Sequence, residues 1–74
     1  MITRFYKSNL LIEWREELGL SQDDVAKELS VTRATINRVE NGRSASLDML
    51  YKLADFYRKP ISTLLVKNKF AVSS

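Results

Sequence analysis

Apolar residues at helical spacing come in short runs along this chain, and each run meets residues that end helices. Gly19, Ser30-Val31-Thr32, Asn41-Gly42 and Lys59-Pro60 are the stops. Glycine takes the left-handed conformation that closes a helix, and proline breaks one. No apolar run between these stops approaches the roughly 20 residues of a membrane span. What they permit is a set of short helices packed on one another.

Five such helices are expected. Ser8 or Asn9 caps the first, NLLIEWREEL, which Gly19 ends. Leu11, Trp14 and Leu18 share a stripe there, widened by Leu10 and Ile12. Ser21 opens the second, over about 22–29, with Val25, Ala26 and Leu29 inward. Ser21-Gln22-Asp23-Asp24 approximates a capping box, and its two acids suit the positive end of the helix dipole. Thr32 caps the third, 33–41. Arg43-Ser44-Ala45-Ser46 reads as a loop whose last residue caps LDMLYKLADFY, where Leu47, Leu50, Leu53, Ala54 and Tyr57 form the periodic face. Pro60 fits the first turn of a short fifth helix, ISTLL. The expected class is all-α.

Seventy-four residues suit one small domain, and 45% hydrophobic content is enough for a compact core. With no cysteine, disulfides, iron–sulfur clusters and thiolate zinc sites are excluded. With no histidine there is no imidazole base, and a transition-metal site is not expected. Ser8, Ser21 and Ser46 have capping roles and no histidine to activate them, and the acids form no metal-spaced cluster. The chain therefore does not read as an enzyme, and no metal or cofactor is expected. MITRFYKSN lacks the apolar core of a signal peptide, so a cytoplasmic, reducing location is the expectation.

Net charge is +3, unevenly spread. Residues 8–29 set Arg15 and Lys27 against six acids. Residues 30–46 carry Arg33, Arg38 and Arg43 against Glu40 alone, and residues 58–74 carry only cations. An acidic front half followed by basic segments suits a polyanionic partner met by part of the surface.

The third helix is the most polar. On a wheel, Arg33, Asn37, Asn41, Ala34 and Arg38 fall within one arc of about 140°. Thr35, Val39, Ile36 and Glu40 fill the other. Ile36 and Val39 thus dock the helix, and a face of arginine and asparagine looks outward, with Ala34 small enough for close approach. Arginine's fork matches guanine O6 and N7, asparagine matches adenine N6 and N7, and both also contact phosphate. A three-residue turn joins this helix to the second, the geometry of a helix-turn-helix. There the first helix crosses the DNA backbone and the second enters the major groove. Gln22, at the start of the first, is placed to hold a phosphate with nearby free N–H groups. Asn41 and Arg43 lie where they can grip another.

LSQDDVAKELSVTRATINRVENGR resembles the helix-turn-helix of the phage repressor and Cro-like, or Xre-type, regulators. SLDMLYKLADFYRKPISTLL is similar to that family's fourth and fifth helices. The resemblance implies a compact five-helix, lambda-repressor-like DNA-binding domain over residues 8–66, between an N-terminal arm (1–7) and a C-terminal tail (67–74). It implies base reading by Arg33, Ala34, Asn37 and Arg38. Gln22, Thr32, Asn41 and Arg43 fall to phosphate contact, and Arg15 pairs with Glu40. Glu40 lies on the inner boundary of its helix, where an unpaired carboxylate is costly. Ser30 and Arg58 stand where the family usually has glycine, and Pro60 where it usually has a serine cap.

The implied function is a sequence-specific transcriptional regulator, a repressor, acting as a homodimer on a two-fold site in double-stranded DNA. Ile61, Leu64, Leu65, Val66 and Phe70 offer an interface, or Ile61 and Leu64 close the core and the rest frays. The β-forming termini likewise read as frayed ends, as paired strands or as cover for a dimer. A second reading is an antitoxin-type module that neutralises a partner protein, a toxin or other regulator, and controls its own operon. A restriction–modification controller is a third.

Overall fold

The computed structural model describes residues 2–3 and 6–65. In chain order they form β1 (Ile2–Thr3), α1 (Ser8–Glu17), α2 (Gln22–Leu29), α3 (Arg33–Glu40), β2 (Ala45–Ser46), α4 (Leu47–Tyr57) and α5 (Ile61–Leu64).

Local chemistry starts three of the helices. Ser21 Oγ accepts from the Asp24 N–H at 3.0 Å, and Asp24 Oδ2 accepts from the Ser21 N–H at 2.9 Å, which completes a capping box. The Ser21 N–H, then its hydroxyl, hold the Asp24 carboxyl below the usual carboxylate range. Thr32 caps α3 through the Thr35 N–H and Ser46 caps α4 through the Met49 N–H. The start of α1 differs from expectation. Ser8 is its first residue, and Lys7 is an N-cap with no side-chain bond. Tertiary contacts set this start instead: the Lys7 N–H donates to the Leu64 carbonyl at 2.7 Å, and Tyr6 forms an antiparallel bridge with Leu65.

Helices α1 to α4 all stop alike. The left-handed residue's N–H returns to a carbonyl three residues back, and the next N–H to one five residues back, the Schellman pattern. Gly19, Ser30, Gly42 and Arg58 occupy the left-handed position, with φ between 57° and 73°. Two are glycines, at no steric cost. Ser30 and Arg58 take the same conformation with a Cβ present, which costs roughly 1–2 kcal/mol each. They are the two positions where this chain departs from the family's glycine. The backbone is kept and the strain accepted.

The core gathers Leu11 and Trp14 of α1, Val25 and Ala26 of α2, Ile36 and Val39 of α3, and Leu50, Leu53, Ala54 and Tyr57 of α4. Leu18 does not join them and is 56% exposed, because it lies at the end of α1 where the chain turns away. Leu64 is 0% exposed within the single chain, so it has no surface to give an interface. Ile61 and Leu65 are half-buried against the same core. Val66, Phe70 and the tail 67–74 lie outside the described residues.

β1 runs antiparallel to β2, with Ile2 opposite Ser46 and Thr3 opposite Ala45. The segment expected to be a loop over 43–46 therefore ends in strand. Its partner is the N-terminal arm, far off in sequence.

Candidate nucleic-acid interface

α2 and α3 are separated by Ser30, Val31 and Thr32, and the left-handed Ser30 turns the chain sharply between them. Ile36 and Val39 bury the inner face of α3. Arg33, Ala34, Asn37 and Arg38 stand exposed on the outer face, as do Thr32 before the helix and Asn41 and Arg43 after it. Gln22, at the start of α2, is half-buried.

Glu40 holds this arrangement from behind. It is 5% exposed, the one buried charged residue among those described. Arg15 of α1 meets it with two prongs: Nε donates to Oε2 at 2.7 Å and Nη2 to Oε1 at 3.2 Å. Arg15 Nη1 also donates to the Leu20 carbonyl at 2.9 Å. These bonds to Glu40, and the carboxylate's charge, raise the Arg15 pKa further above its already high value. Gln22 Nε2 donates to Glu40 Oε1 at 3.0 Å. One carboxylate thus joins α1 and α2 to the end of α3. An amide nitrogen carries two hydrogens, so this bond uses only one of those on Gln22. The Tyr57 hydroxyl lies buried nearby with no hydrogen-bond partner among the described residues. Burial, then the charge of Glu40, push its pKa up to about 12, against an opposing pull from Arg15.

The outer face has its own order. Asn41 Nδ2 donates to Asn37 Oδ1 at 3.0 Å, a bond that uses neither Asn37 amide hydrogen. Thr32 Oγ1 lies 2.9 Å from Thr35 Oγ1 and also caps the helix, so its rotamer is fixed. After α3, the Gly42 N–H donates to the Val39 carbonyl at 3.1 Å and the Arg43 N–H to the Arg38 carbonyl at 3.3 Å. Glycine is favoured here. The φ of Gly42 is 73°, and an added Cβ would stand 3.0 Å from Ser8 Oγ.

Several participants escape a reading of the sequence alone. The Gln22 bond to Glu40 joins residues that lie 18 apart, and periodicity carries no sign of it. Tyr6 is buried and donates its hydroxyl to the Val39 carbonyl at 2.7 Å. In the sequence it is only one of several β-formers in the arm. Among the described residues no group of three or more His, Cys, Asp or Glu gathers as metal ligands, and no helix is long and apolar enough to cross a membrane.

Comparison with known proteins agrees with this geometry. The helix-turn-helix family designated HTH_3 matches residues 11–64. A relative from Methanothermobacter thermautotrophicus, named as an uncharacterised HTH-type transcriptional regulator, is 46% identical over 46 residues, covering 61% of this chain and 67% of that protein. Another of the same description, from Methanocaldococcus jannaschii, is 36% identical over 59 residues, which are 78% of this chain and 89% of the relative. A protein of Halorubrum lacusprofundi, named among HTH-type transcriptional regulatory proteins, is 38% identical over 55 residues, 74% of this chain. The chain spans only 17% of the length of that longer relative. No solved structure matches significantly. With a matched segment that runs from α1 through α5 and a helix-turn-helix at its centre, the chain belongs to the Xre/Cro-like HTH_3 family of DNA-binding transcriptional regulators.

Proposed function

We propose that this chain recognises a specific sequence in double-stranded DNA by laying α3 in the major groove. The observation that carries this reading is the division of α3. Arg33, Ala34, Asn37 and Arg38 are exposed on one side, while Ile36, Val39 and Glu40 fix the other to the core. A helix held so firmly from behind presents its outer side chains with little freedom to lose on binding, which favours discrimination between bases. Arg33 and Arg38 read guanine, Asn37 reads adenine, and Ala34 lets the backbone come close. Gln22, Thr32, Asn41 and Arg43 hold phosphates on either side of α3 and set its register.

In this reading the chain binds as a homodimer to a two-fold site with half-sites about 34 Å apart, one turn of the duplex. Ile61 and Leu65, with the residues that follow, supply the interface. Regulation is by occupancy, because a domain seated in the groove excludes other proteins from that stretch of duplex, and so represses. The test is a salt titration of binding to a duplex. Neutralised phosphates give a log–log slope near −0.9 for each contact, so four contacts per subunit give a dimer slope of about −7. A slope near zero, or no binding at low salt, overturns the proposal.

A further inference from the structure

Residues 2–3 and 6–7 precede the stretch that the family matches, yet they are built into the fold. β1 pairs with β2, Tyr6 bridges to Leu65, and the Lys7 N–H donates to the Leu64 carbonyl. Tyr6 reaches further. Its buried hydroxyl donates to the Val39 carbonyl at 2.7 Å, and that same oxygen accepts the Gly42 N–H at 3.1 Å. A carbonyl has two lone pairs, and both are used here. The Gly42 bond is one of the two that close α3, and the other comes from the Arg43 N–H itself. Tyr6 therefore braces the turn that aims Asn41 and Arg43. Beyond that turn, β1 holds Ala45 and Ser46. Only residues 40–44 lie between the two attachments.

We propose that the N-terminal segment is a positioning element of the DNA interface, in which Tyr6 and β1 fix the turn over residues 40–44 so that Asn41 and Arg43 meet a phosphate in register with the α3 face. It rests on the DNA-binding reading above. The segment touches no DNA in this role. It removes freedom from the gripping turn before binding, so that less is lost when the contact forms.

The test uses the whole chain and a duplex selected by the unaltered protein, at a temperature where circular dichroism shows every variant folded. Tyr6→Phe keeps the ring and loses the hydroxyl, and is expected to weaken binding by roughly three- to tenfold, the size of one hydrogen bond. The decisive readout is coupling, which a general loss of stability does not produce. Arg43→Ala costs less in the Tyr6→Phe background than alone, whereas Arg33→Ala costs the same in both. A chain shortened to begin at Tyr6 is the second variant, and loses at least as much affinity as Tyr6→Phe. Unchanged affinity in both variants overturns the inference, as does full additivity of Tyr6→Phe with Arg43→Ala. If the unaltered chain binds no duplex, the DNA-binding reading itself falls, and this inference with it.

Discussion

Replacing Arg15 by methionine strands the Glu40 carboxylate. Three bonds now satisfy that group, two from Arg15 and one from Gln22. Removing one partner of a buried ion pair costs about 3–5 kcal/mol, because the remaining charge stays desolvated. Arg15 is 14% exposed and Gln22 remains, so the lower figure, about 3 kcal/mol, applies. At about 0.05–0.15 kcal/mol per residue, a domain of this size has about 4–11 kcal/mol in all. Urea unfolding followed through Trp14, the single tryptophan and a core residue, reads the loss directly. With a slope of about 1–1.5 kcal/mol per molar, the midpoint falls by about 2–3 M. The double variant Arg15→Met/Glu40→Met recovers most of it, since an apolar pair of similar size leaves no buried charge. A loss below about 1 kcal/mol for Arg15→Met, the size of a solvated surface pair, would refute the reasoning. So would a double variant no more stable than Arg15→Met.

Other substitutions test separate parts of the account. Ser30→Gly and Arg58→Gly each relieve left-handed strain and give back part of it as unfolded-state entropy, for a net gain of about 0.5–1 kcal/mol in thermal melts. Gly42→Ala does the reverse, meeting both the positive φ and Ser8, and lowers the melting temperature. Tyr57→Phe deletes a hydroxyl that has no hydrogen-bond partner among the described residues and is neutral or stabilising near pH 7. Between pH 10 and about 12 the unfolded chain ionises this tyrosine while the folded chain does not, so stability falls as pH rises. Melting temperatures across that range should fall less steeply in Tyr57→Phe, with Tyr6, also raised by burial, keeping part of the slope. In DNA binding, Arg33→Ala or Arg38→Ala costs about 1–3 kcal/mol on the preferred duplex and relaxes its specificity. Arg43→Ala weakens binding evenly across sequences and lowers the salt slope, both readable by fluorescence anisotropy.

What the sequence reveals and what it hides divide along the range of the interactions. Ser21, Thr32 and Ser46 cap helices through N–H groups three residues away, so their roles lie within a short window. Gly19 and Gly42 mark helix ends because their backbone preference is their own. The burial of Ile36 and Val39 against exposed Arg33, Asn37 and Arg38 follows from a period of 3.6 residues. Local chemistry fails at the start of α1, where Ser8 and Asn9 look like caps and the chain's ties to Leu64 and Leu65 decide otherwise. Leu18 fits the apolar stripe by spacing, yet α1 ends at Glu17 and Leu18, its C-cap, is left exposed. The β1–β2 pairing is too short to leave a pattern. Arg58 by itself gives no sign of its left-handed turn, because arginine has no preference for one; only its place where the resembled family usually has glycine hints at it. In the site, the types and spacing of the α3 residues are legible. The brace from Tyr6 and the Gln22 bond to Glu40 come from distant segments brought together by folding.

We propose that the outward face of α3 reads base sequence. Selection of bound duplexes from a random pool, run in parallel with the unaltered chain and with Arg38→Ala, tests it most directly. The unaltered chain should enrich a two-fold symmetric site, and Arg38→Ala should lose preference at one position in each half-site while keeping the others. A pool that stays random after selection, or an Arg38→Ala chain that enriches the same site with the same stringency at every position, contradicts it.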